Sequence, residues 1–84
     1  MAAMTGIHQA LWARVSEPIL LYQKGDTHLC STEQLQAYRD NLAIEIGWLQ
    51  SRNMAKWKPD MHAFLAELQD AHAVYEQQLE VSRA

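Results

Sequence analysis

Apolar side chains recur along this chain at spacings of three and four in three separate runs. That period places each run on one face of an α-helix. The first run is Met4, Ile7, Leu11, Val15, Ile19 and Tyr22. Thr5 stands where a hydroxyl can cap the opening amides. Pro18 interrupts the run, because it has no amide hydrogen and its ring crowds the carbonyl of Arg14. A kink or a restart near Ser16 is expected there, with Ser16 as the cap of a second segment. Gly25 is expected to close the helix in a left-handed conformation.

Residues 25–30 read as a loop. Ser31 and Gln34 then have the spacing of a capping box, in which each residue's side chain satisfies the other's backbone amide. The second run, Leu35, Tyr38, Leu42, Ile46 and Leu49, falls within about 80° on a helix, with Glu45 at its edge. Asn53 and Pro59 break the pattern, and Asp60 is placed to cap a third helix. Met61, Leu65, Leu68, His72, Tyr75 and Leu79 then alternate steps of four and three, the seam of a tight bundle or coiled coil. The seam fades at Ser82.

No period-two alternation supports a strand. Ala, Leu, Gln and Glu make up 36 of the 84 residues, against ten for Val, Ile and Thr, which agrees with helices throughout. The expected fold is all-α: a small three-helix bundle, its first helix kinked at Pro18, forming a single domain over 1–84. A chain this short buries only about 60–65% of its unfolded surface, so completion of the core by dimerisation is part of the expectation.

Charge and composition narrow the function by exclusion. A net charge of −3 argues against a surface built to grip DNA or anionic lipid. No apolar run approaches the ~20 residues of a membrane span. The N-terminal residues lack the basic start and apolar block of a signal peptide, so a cytoplasmic location is expected. The single Cys30 makes no internal disulfide. It shares a loop with Asp26 and His28, but a zinc site usually draws four ligands from two clusters, so neither a metal nor another cofactor is expected. There is no glycine-rich phosphate loop, GxSxG, CxxC or HExxH, and the chain reads as a non-enzyme.

The remaining candidates are surfaces. Ile44 and Trp48, with Ala37, form a second apolar strip on the middle helix, away from the Leu42 stripe. Together with Trp12 and Trp57 they are the candidate protein interface, since buried tryptophans anchor interfaces. Gly47 beside them permits close backbone approach. His72, a polar group in a seam, is a candidate for fixing register or oligomeric state. Glu67, Asp70 and Glu76 on the third helix form a candidate acidic face. The leading expectation is a small subunit, adaptor or inhibitor that acts through apolar helical faces and binds itself, a larger protein, or both. One alternative is an acidic inhibitor that occludes a basic nucleic-acid-binding site on a larger protein. A second is a nucleic-acid accessory protein using Arg52, Lys56, Trp57 and Lys58, a mode that normally needs a larger positive groove.

Overall fold

The structure is a computed structural model that describes residues 6–52 and 54–83, with side chains described for 13–52 and 55–83. Three helices account for most of them: α1 (Gly6–Lys24), α2 (Thr32–Gln50) and α3 (Pro59–Arg83), with single 3-10 turns at Thr27–Leu29 and Met54–Lys56 in the connections. There is no strand among the described residues. The fold is a small all-α three-helix bundle.

The helix ends follow from local chemistry. At the end of α1, Gly25 has φ of 72°, where only glycine sits without strain. Its amide donates to the Tyr22 carbonyl at 3.1 Å, and the Asp26 amide reaches back to Leu21 at 2.9 Å. This pair of bonds is the Schellman arrangement, which satisfies two carbonyls that the helix end would otherwise leave open. At the start of α2 the capping box is complete: the Gln34 amide donates to Ser31 Oγ at 3.1 Å, and the Ser31 amide donates to Gln34 Oε1 at 2.9 Å. The third helix begins two residues earlier than an Asp60 cap implies. Pro59, not Asp60, opens it, and the Lys58 carbonyl accepts from the Met61 amide at 3.0 Å. Proline suits a first helical position because its missing N–H would have no partner there. Asp60 lies in the first turn, where a carboxylate complements the positive end of the helix dipole. The Thr5 cap lies outside the described residues.

α2 and α3 form an antiparallel pair. Thr32 at the start of α2 hydrogen-bonds Ser82 at the end of α3, and the Tyr38 ring meets the Tyr75 ring edge-on at 6.0 Å. Between the two helices, Leu35, Leu42 and Leu49 pack with Leu65, Leu68, Ala71, Tyr75 and Leu79. The second and third apolar runs thus become one core. One position shifts: Ala71 occupies the seam and His72 lies on its flank, half-buried. An alanine there lets the helices approach closely.

α1 adds Val15, Pro18 and Ile19 to this core. It runs unbroken through Pro18, so Ser16 opens no second segment; its hydroxyl instead donates to Ala13 of the preceding turn at 3.4 Å. The amide that proline lacks would have bonded the Arg14 carbonyl. In its place the Asn41 amide group, from α2, donates to that carbonyl at 3.3 Å. One turn on, the Tyr75 hydroxyl from α3 donates to the Pro18 carbonyl at 2.7 Å. Further along, Gln23 donates to the Glu67 carboxylate at 3.3 Å. As α1 advances from Pro18 to Gln23, its partner on α3 recedes from Tyr75 to Glu67. Helix α1 therefore runs against the direction of α3 over this stretch.

Candidate interaction surface

The 100° step of an α-helix turns Ala37, Asp40, Ala43, Ile44 and Gly47 away from the buried Leu35, Leu42 and Leu49. All five are exposed, and Ile44 keeps 50% of its surface in solvent. The middle of this outer face is small and apolar. Its N-terminal end is acidic, through Glu33 and Asp40, and the chain just past its C-terminal end is basic, through Arg52, Lys56 and Lys58. Among the described residues beyond its own helical turn, nothing lies within 4 Å of where a Cβ at Gly47 would stand. The chain's own packing therefore does not require glycine at that position.

Trp48 borders this face but does not project from it. It packs at the margin of the core, and the Arg52 guanidinium lies 4.1 Å from its ring centroid, a cation–π contact. The turn that brings Arg52 there is fixed at the end of α2. Ser51 donates to the Trp48 carbonyl through its hydroxyl at 2.6 Å and to Gly47 through its amide, and the Arg52 amide donates to Leu49 at 3.0 Å. Trp57 is likewise half-buried against the core margin, with the His62 ring 5.2 Å away. Trp12 lies within α1, but its side chain is outside the described residues. The three interface candidates whose side chains are described do not converge: Ile44 is on the open face, whereas Trp48 and Trp57 edge the core and Arg52 covers Trp48.

The acidic residues of α3 also separate. Glu67 and Glu76 are nine residues apart and so project on opposite flanks of the helix. Glu67 accepts from Gln23 of α1. Glu76 is 4.0 Å from Arg39 of α2 and 3.6 Å from Nε2 of His72. Asp70 is exposed between them. Two of the three carboxylates thus make contacts within the bundle, on different flanks of the helix. His72 faces the same flank as Glu76, and Arg39 there also pairs with Asp40 at 3.1 Å.

The chemistry of the loop is muted. Cys30 packs against the core, and burial, with Glu17 nearby, pushes its thiol above the usual range. At neutral pH it is held as the weakly nucleophilic thiol. Among the described residues, no group of three His, Cys, Asp or Glu side chains is placed to hold a metal ion. Burial also raises the Tyr38 and Tyr75 phenols, with Glu17 and Cys30 adding to the effect.

Sequence reasoning underweighted one residue. Glu45 is only 1% exposed, although carboxylates are almost never fully buried. The signal was its spacing: three residues after Leu42 and four before Leu49, it stands at the edge of the stripe, and the packed bundle buries that edge as well.

Compared with known protein families, characterised proteins and solved structures, the chain matches none. No helix among the described residues is long and apolar enough to cross a membrane.

Proposed function

We propose that this protein is a non-enzymatic helical interaction module that self-associates through an apolar helical face. The observation that carries this reading is the outer face of α2. A helix with one buried stripe satisfies its place in the bundle, yet α2 exposes Ala37, Ala43, Ile44 and Gly47 on the opposite side. Small domains gain from such an arrangement, because a partner that binds only the folded form stabilises it by mass action. The arrangement of the other candidates favours this surface over theirs. Trp48 lies beneath Arg52 and at the core margin, and Glu67 and Glu76 are engaged within the bundle.

The test is light scattering coupled to size exclusion, from micromolar to millimolar protein. Mass that rises with concentration supports self-association. A strict monomer throughout removes it and leaves only a different protein as the occupant of this face.

A further inference from the structure

We infer that the face is closed by α2 of a second copy, with the two helices antiparallel about a two-fold axis between Ile44 and Gly47. This rests on the self-association proposed above and specifies its geometry. Three independent features of the helix point to it.

The first is Gly47. Glycine is less favourable than alanine within a helix, and among the described residues nothing beyond its own helical turn crowds the position. The missing side chain is explained by an approach from outside the chain. Ala43 lies one turn before it, so the two form a flat strip over which a second helix can pack at the short end of the usual 8–10 Å axial separation. The second is Ile44, beside that strip and half in solvent. A two-fold axis through this point sets each isoleucine next to its own copy and removes both from water, as an isologous contact requires.

The third feature is charge, which sets the direction. Glu33 and Asp40 lie toward the N-terminal end of the face, and Arg52 and Lys56 lie past its C-terminal end, all exposed. Antiparallel pairing brings each copy's acidic end to the other's basic end. Parallel pairing would set Glu33 against Glu33 and Arg52 against Arg52. Opposite-charge pairing of this kind fixes orientation more than affinity.

Sedimentation equilibrium on the whole chain tests the arrangement with three variants, each checked for native helix content by circular dichroism. Gly47→Gln installs a better helix former on an open surface, so it should raise thermal stability while weakening the dimer at least tenfold. Loss of association then cannot be blamed on unfolding. The pair Glu33→Lys with Asp40→Lys should weaken the dimer by about tenfold, as expected for a few exposed charge pairs reversed. Adding Arg52→Glu and Lys56→Glu to that pair should restore most of the affinity. In a parallel dimer the two lysine substitutions would change little, because like still meets like. Wild-type protein that stays monomeric overturns the self-association reading together with this geometry. A wild-type dimer indifferent to Gly47→Gln leaves self-association standing and overturns this face. A dimer broken by Gly47→Gln but indifferent to the lysine pair, or not restored by the full exchange, overturns the antiparallel arrangement.

Discussion

The α2–α3 pair and helix α1 are joined to the same core by different means. Between α2 and α3 the contact is a continuous run of leucines with Ala71 and Tyr75. Among its described side chains, helix α1 contributes Val15, Pro18 and Ile19. It is fixed in place by hydrogen bonds to two of its own carbonyls, Arg14 from Asn41 and Pro18 from Tyr75. Apolar burial is strong but nondirectional. It holds α2 to α3 wherever the stripes match, and by itself it would not fix the register of a third helix. A hydrogen bond to one carbonyl does not. The missing proline amide therefore acts as an addressing device, since it opens an acceptor in mid-helix that Asn41 of another helix fills.

Four substitutions would sharpen or break that contrast. The largest effect belongs to the α2–α3 seam. Leu68→Ala, at a fully buried position, should cost about 2–5 kcal/mol in urea unfolding. For a domain with ~5–10 kcal/mol in all, that is a large share of the total. A cost below about 1 kcal/mol would mean that the seam is not the main source of stability.

Tyr75→Phe comes next. It keeps the ring in the core and removes only the donor to Pro18, so about 1–2 kcal/mol should be lost. The same residue gives a pH signature. Its phenol is raised above the ordinary 10.0 by burial, so the unfolded chain ionises first as pH rises. Its contribution is whole below about pH 10 and falls above it, by at most about 1.4 kcal/mol per pH unit per group. Tyr38 is shifted in the same direction and adds to the loss. Stability of Tyr75→Phe should therefore decline less steeply above pH 10 than that of the wild type, and parallel curves would show that the Tyr75 phenol is not protected by folding.

Asn41→Ala should cost about 1 kcal/mol, and the cost should depend on Pro18. With Pro18→Ala in the background, the helix supplies its own amide to the Arg14 carbonyl, and the penalty of Asn41→Ala should largely disappear. A double-mutant cycle reads this coupling directly. Additive costs would mean that the proline did not create the acceptor Asn41 uses. The smallest effect is local: Ser31→Ala removes half of the capping box and should cost about 0.5–1 kcal/mol, with little consequence for how α1 is seated.

The elements whose interactions span three or four residues were legible in order. The Schellman end at Gly25, the capping box at Ser31 and the stripes of α2 and α3 all follow from one turn of helix and its nearest neighbours. The departures were small where the chemistry was local: the third helix opens at Pro59 and not after an Asp60 cap, and Ala71 took the seam from His72. Candidate surfaces were less legible. Ile44 stands open as the pattern implied, whereas Trp48 lies under Arg52, and the acidic residues of α3 turned to different neighbours.

What the sequence determined by itself is thus three helices, most of their ends and the faces they bury, because those depend on periodicity and on bonds within a turn. Only the tertiary structure decided how α1 lies against the other two, which carbonyls are answered, and that Glu45 is enclosed. Its key contacts join residues 27 and 57 positions apart, and no local pattern encodes such pairings. They are chosen when three apolar faces compete for one core and each buried polar group must find a partner.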